Sequence, residues 1–179
     1  MKGELGKGVL EYDRIAKAYD ELYRKEQEIK YLAVLRRVGR RFHLVLDLGC
    51  GTGLLSKYVE CELMVGLDPS FIMLKEAKKR GVYVVQGVGE MLPFRPLVFD
   101  VVFLFTVIHE NLLMIREALC ASKYLVIVTL LKKLKSLKAN IKEILLSCNR
   151  VSNIEIITGN NSLKDIIFIV WLKSTVNAL

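Results

Sequence analysis

The segment Val45–Gly53, V-L-D-L-G-C-G-T-G, constrains the fold most. It joins an apolar run to a helix-forming stretch through glycines at 49, 51 and 53. Glycine at such a junction permits positive φ and lets a ligand approach the backbone with no Cβ in the way. Asp47 closes the apolar run, just ahead of the first glycine. Leu54 stands where a dinucleotide fingerprint would place its last glycine, and no Lys-Ser or Lys-Thr follows as in a P-loop. A strand that feeds a helix through this loop belongs in an α/β chain.

The rest of the chain repeats that alternation. Periodicity predicts helix over 10–38, with Ile15, Ala18, Tyr19, Leu22 and Tyr23 on one stripe. It predicts strands at 44–48, 63–67, 82–86, 100–105, 124–130, 154–157 and 165–172. Helices are expected over 54–60, 70–80, 111–121 and 134–148, the last one basic and amphipathic. Ser70 is placed to cap its helix and Gly81 to stop it. Strands alternating with helices argue for a parallel sheet covered on both faces. Ligands bind such sheets at the carboxyl ends of the strands, near the point where strand order reverses.

Hydrophobic residues make up 53% of the 179. A membrane span and a doubly buried sheet compete to explain this. The longest apolar stretches, such as Val101–Phe105 and Ile166–Val170, fall far short of the ~18 residues of a membrane helix. They are rich in Val, Ile and Phe and flanked by charges, as buried parallel strands are. The length fits one domain, read as a helical segment over 1–40 leading into a core over 41–179. The opening MKGELGKGVLEYD has no apolar leader core, which predicts a cytoplasmic protein. Four cysteines without a CxxC pair and two histidines predict neither a metal site nor a disulfide framework.

Asp68 ends the second strand about 20 residues after Asp47, the usual separation of a ribose-binding carboxylate from its glycine loop. Its alternative role is to cap the Ser70 helix. Taken in order, the motifs resemble the class I S-adenosylmethionine (SAM)-dependent methyltransferases, in particular the ubiquinone/menaquinone-biosynthesis-type branch. E-Y-D-R-I-A-K-A-Y-D (11–20) resembles that branch's N-terminal helix and V-L-D-L-G-C-G-T-G its first motif. G-L-D-P-S (66–70), Q-G-V-G-E-M-L-P-F (86–94) and F-D-V-V-F (99–103) resemble those that follow. The resemblance covers about residues 11–130. It implies a Rossmann-like three-layer α/β/α sandwich whose seven-stranded sheet is mostly parallel with an antiparallel last strand. It implies SAM as cofactor, with Asp47 and the backbone of Gly49, Cys50, Gly51 and Gly53 holding the methionine moiety. Asp68, followed by Pro69, would bind the ribose. Val88, Gly89, Glu90 and Met91 would flank the adenine, Phe105 and Thr106 would face the sulfonium, and Tyr19 would close over the methionine end.

The chain departs from the family pattern in three places. Val88 stands where an acidic residue usually meets the adenine amino group, a loss of about 1–2 kcal/mol unless Glu90 or the backbone compensates. The loop before the fifth strand is trimmed, since Ala118–Tyr124 runs almost directly into it. No inserted cap encloses a small substrate. Methyl transfer needs alignment and desolvation more than a base. His109, a few residues past the fourth strand, is the candidate general base, its other reading being a loop residue that packs locally. The acceptor is a small molecule, as the branch resemblance suggests, or RNA or protein. RNA is favoured by the net charge of +8 and by basic clusters over 36–41, 78–80 and 132–138. Such clusters are more often solvated helix faces and ends, and no aromatic residues interleave with these in a stacking pattern. The alternative function is a non-catalytic SAM-binding or scaffold subunit acting with a partner; a homodimer is also open.

Overall fold

The computed structural model describes residues 19–107, 112–158 and 163–173. Helix α1 spans Tyr19–Val38 and leads into β1, Arg41–Leu48. A 3-10 turn, Leu54–Lys57, precedes β2, Glu60–Asp68. Helix α2 (Phe71–Lys79), β3 (Tyr83–Gln86) and β4 (Phe99–Leu104) follow. Then come α3 (Leu113–Ala121), β5 (Ser122–Leu131), a second 3-10 segment (Lys132–Leu137) and α4 (Lys138–Ser147). Strands β6 (Val151–Thr158) and β7 (Asp165–Leu172) complete the sheet.

The seven strands lie in the order β3-β2-β1-β4-β5-β7-β6. All neighbours from β3 to β5 pair in parallel, and β7 runs antiparallel to both β5 and β6. Strand order therefore reverses between β1 and β4, where a crevice opens at the carboxyl ends. Alternate residues of the central strands feed two separate cores. Leu46, Val102, Leu104, Val126 and Phe168 pack with Ile115 and Leu119 of α3 and Ile141 of α4. Val45, Val101, Phe103, Ile127 and Ile169 pack with Val34 and Leu35 of α1 and with Leu74 and Ala77 of α2. The period-2 division across a sheet covered on both faces accounts for the apolar runs. Among the described residues no helix is long and apolar enough to cross a membrane.

The strands match the expected set, and their edges explain the differences. The helix expected over 54–60 is only the 3-10 turn, because parallel pairing begins at Arg41↔Glu60 and Glu60 N donates to Arg40 O at 2.7 Å. Too little chain is left for an α-helix between glycine loop and strand. The basic helix expected from 134 starts at Lys138; Leu134, with φ −98° and ψ 22°, breaks the helical run. In α1 the expected stripe is replaced by another. Leu22 and Tyr23 are 63% and 40% exposed, while Gln27, Lys30, Tyr31, Val34 and Leu35 are buried. Ile15, Ala18 and the side chain of Tyr19 lie outside the described residues. Ser70 caps α2 as anticipated, its side chain accepting from Met73 N at 3.1 Å, and Gly81 follows with φ +81°. Helix α3 passes straight into β5 at Ala121–Ser122, so the trimmed loop is a direct helix-to-strand join.

Candidate active site

The glycine loop folds back on the end of β2. Gly49 N and Cys50 N both donate to Leu67 O, at 2.7 and 3.1 Å, and Gly53 N donates to Cys50 O at 2.8 Å. All three loop glycines have positive φ: +73°, +50° and +73° at 49, 51 and 53. Their missing side chains serve different ends. A Cβ on Gly49 would lie 2.1 Å from Val107 Cγ1, so the end of β4 can close only over glycine. A Cβ on Gly53 would meet Ala77 of α2 at 2.9 Å, which makes that position one of packing. A Cβ on Gly51 would meet nothing within 4 Å, so the backbone there faces open space.

Two carboxylates flank the loop. Asp68 accepts from Gly51 N through Oδ2 and from Ser70 N through Oδ1, both at 2.9 Å. It thus braces both the loop and the turn that enters α2, while the cap of that helix is Ser70 and not Asp68. Asp47 is 4% exposed and forms no ion pair among the described residues. Burial, and secondarily the charge on Asp68, lift its carboxyl from 3.8 to about 7. The same burial, with Asp47 and Asp68 nearby, pushes the Cys50 thiol far up, so this cysteine packs as a neutral group. Its Sγ fills the space a Cβ on Gly66 would take, at 2.7 Å.

A pocket gathers Asp47, Gly49, Cys50, Gly51 and Phe105 of the expected set, together with Gln27 and Tyr31 of α1, Thr52 and Leu54. Phe105 is wedged edge-on against Tyr31, with ring centroids 4.7 Å apart, and stacks on Phe103 at 5.6 Å. Thr106 follows it with φ +62°, a strained conformation for a β-branched residue. Its N–H donates to Thr129 Oγ1 at 2.6 Å. At the end of β3, Gln86 donates to Pro69 O at 3.1 Å, which ties the second and third strand ends together. Val88 and Met91 are 37% and 77% exposed, while Gly89 sits against Met114 and Leu48. Glu90 is half-buried. His109 lies outside the described residues. Asp100, at the start of β4, is at the other end of the sheet. There burial is outweighed by donors on Leu44 N, His43 N and Lys123, and its carboxyl is held below the usual range.

Several basic positions are already paired. Arg37 meets Glu155 at 2.6 Å, Arg41 meets Glu60 at 3.2 Å and Lys79 meets Glu76 at 2.7 Å. Arg80 pairs with Asp20 and also donates to Thr52 O at 2.5 Å, while Thr52 Oγ1 donates to Asp20 Oδ1 at 2.7 Å. This last set pins the start of α1 to the glycine loop. Arg36, Arg40, Lys78 and Lys135 are exposed.

Sequence reasoning missed the polar face of α1. Lys30 is fully buried, with its ammonium 2.8 Å from Glu26, 2.7 Å from Asp165 and 3.0 Å from Thr106 Oγ1. Gln27 beside it is 6% exposed. A signal existed: positions 27, 30, 31, 34 and 35 follow the i, i+3, i+4, i+7, i+8 rule of a buried stripe, with Tyr31, Val34 and Leu35 marking it.

Residues 46–122 match the model of a family described as a methyltransferase domain. Over 110 residues, 55% of the chain, it is 34% identical to the malonyl-[acyl-carrier protein] O-methyltransferase of Legionella pneumophila. The chain spans 36% of that protein and the same share of an uncharacterised relative from Methanocaldococcus jannaschii. A SAM-dependent methyltransferase structure from Thermotoga maritima superposes with a TM-score of 0.65 at 17% identity, covering 89% of this chain and 97% of that one. A chain from the Haloferax volcanii complex of the Trm112 methyltransferase activator superposes at 0.67 with 13% identity, covering 91% and 98%. These two likenesses are of fold. The chain therefore has the fold seen in SAM-dependent methyltransferases, and its residues 46–122 are similar to a methyltransferase domain.

Proposed function

We propose that this protein transfers a methyl group from SAM to an acceptor approaching past the end of β4, and that it does so in the cytoplasm. The observation that carries this is Asp47: a buried carboxylate, paired with no cation among the described residues, beside a glycine loop whose Gly51 faces open space. An anion in that setting suits a ligand that brings its own positive charge. When bound, SAM supplies an electrophilic methyl group on a sulfonium. The chain's own residues bind and orient. Asp47 takes the ammonium of the methionine moiety and Gly51 admits its backbone. Asp68, held rigid by Gly51 N and Ser70 N, offers its carboxylate to the ribose. Val88–Met91 flank the adenine, Phe105 and Thr106 exclude water on the sulfonium side, and Tyr19 closes over the methionine end. His109 is assigned the proton on a hydroxyl or amine acceptor.

The acceptor is a small molecule, or RNA docked on the exposed members of the basic clusters. Incubating the protein with methyl-labelled SAM and separated metabolite, RNA and protein fractions tests both: label should enter one fraction. No transfer to any fraction, together with no SAM binding by calorimetry, would overturn the proposal. Binding without transfer would favour the second reading, a SAM-binding subunit that works with a partner. That reading draws on the fold shared with the Haloferax volcanii chain found with an activator.

A further inference from the structure

Gln27 lies on the buried face of α1 and lines the same pocket as Asp47 and Gly51. It is 6% exposed, and its Oε1 has no hydrogen-bond partner among the described residues. A buried amide oxygen left unpaired destabilises the fold, so its presence at a pocket wall calls for a partner that arrives from outside. The other half of the amide is committed. Nε2 donates to Thr106 Oγ1 at 3.4 Å, and the same oxygen accepts from Lys30 Nζ at 3.0 Å. Lys30 is in turn held by Asp165 and Glu26. Thr106 is fixed in its strained backbone conformation by the bond from its N–H to Thr129. A chain of buried polar contacts from β7 through α1 to the end of β4 therefore holds the amide by its nitrogen and leaves its carbonyl oxygen to receive a donor.

We propose that Gln27 is a ligand-binding residue of this pocket, its Oε1 accepting a hydrogen bond from a primary ammonium group on the ligand while Asp47 supplies the counter-charge. A cationic donor fits best, because the same pocket presents the buried carboxyl of Asp47, while the hydroxyl of Thr52 is already given to Asp20. On the reading of SAM as ligand, on which this inference rests, that group is the α-ammonium of the methionine moiety. Gln27 then discriminates between ligands that carry the amino-acid tail and those that end at the thioether.

Calorimetry on the whole protein with three ligands tests this: SAM, S-adenosylhomocysteine and 5′-methylthioadenosine, which has no ammonium. The near-isosteric Gln27→Met should weaken the first two about ten- to a hundredfold, the worth of a hydrogen bond to a charged group, and leave the third within twofold. Gln27→Glu keeps an acceptor in place and should preserve the preference for SAM over 5′-methylthioadenosine even if its fold is weakened. Equal loss of all three ligands in Gln27→Met, or an unchanged preference for SAM in that variant, would overturn the assignment. Failure of the unmodified protein to bind any of the three would instead remove the SAM reading beneath it.

Discussion

Replacing Asp47 by Asn should stabilise the free protein at alkaline pH while removing its ligand. The carboxyl stands at about 7 in the fold, against 3.8 for an ordinary Asp, because burial and then the neighbouring Asp68 disfavour its charge. The protonated form is the one the fold prefers. Its contribution to stability is whole below about pH 4, falls as pH rises through the window from about 4 to 7, and is absent above. At about 1.4 kcal/mol per pH unit, a separation of some three units amounts to about 4 kcal/mol at pH 8. Asn is nearly isosteric and never ionises, so Asp47→Asn should regain much of this. For a chain of this size, where 1 kcal/mol shifts Tm by roughly 2–4 °C, the gain should exceed about 5 °C at pH 8 and shrink to about a quarter of its pH 8 value at pH 4.5. Thermal unfolding followed by circular dichroism at both pH values reads this directly. SAM affinity should meanwhile fall at least tenfold, the exchange of stability for function expected of a charge buried for a ligand. A variant equally stable at pH 8, or destabilised alike at both pH values, would refute the account of Asp47 as a strained anion.

Between about pH 5 and 7, SAM affinity of the unmodified protein should rise close to tenfold per pH unit as Asp47 loses its proton, and calorimetry of Asp47→Asn should show no such slope. Lys30→Met should cost about 3–5 kcal/mol in urea unfolding by leaving Asp165 buried and unpaired, and Asp165→Leu in the same chain should recover most of it; a loss under 1 kcal/mol would show the pair to be dispensable. Gly49→Ala should cost roughly 2–4 kcal/mol, from overlap with Val107 and from a left-handed backbone. Adding Val107→Ala should relieve the overlap part and not the rest. If His109 is the general base assigned above, His109→Ala should slow methylation roughly 10²–10⁴-fold with SAM affinity intact; a lowered Tm with an unchanged rate would make it a packing residue.

The part of the fold legible in the sequence is the part whose cause is local. Val101–Phe105 and Ile166–Val170 read as doubly buried strands because each alternate residue belongs to one of two cores. The loop at 49–53 reads as a binding turn because positive φ at three positions admits little but glycine. Ser70 and Gly81 fall where a cap and a stop must be. What was not legible depends on pairings made elsewhere. The 3-10 turn at Leu54–Lys57 replaces a helix only because β2 begins pairing at Glu60, and nothing in residues 54–60 themselves forbids the helix.

The polar face of α1 is the sharpest case. Lys30 and Asp165 stand at opposite ends of the sequence, and they meet only because the sheet order sets β7 two strands from β4, beneath the same helix. Read alone, each is an ordinary surface charge. Helical spacing from Tyr31, Val34 and Leu35 nevertheless points back to Lys30 and Gln27 as inward positions. A polar residue on the inward stripe of a helix must find its partner within the fold or in a ligand. Lys30 finds Asp165, Glu26 and Thr106; Gln27 finds Thr106 with one end and leaves the other toward the pocket. Asp47, which lines the same pocket, repeats the logic. It is buried beside Asp68 with no ion pair among the described residues, and the ligand proposed above would supply the missing positive charge.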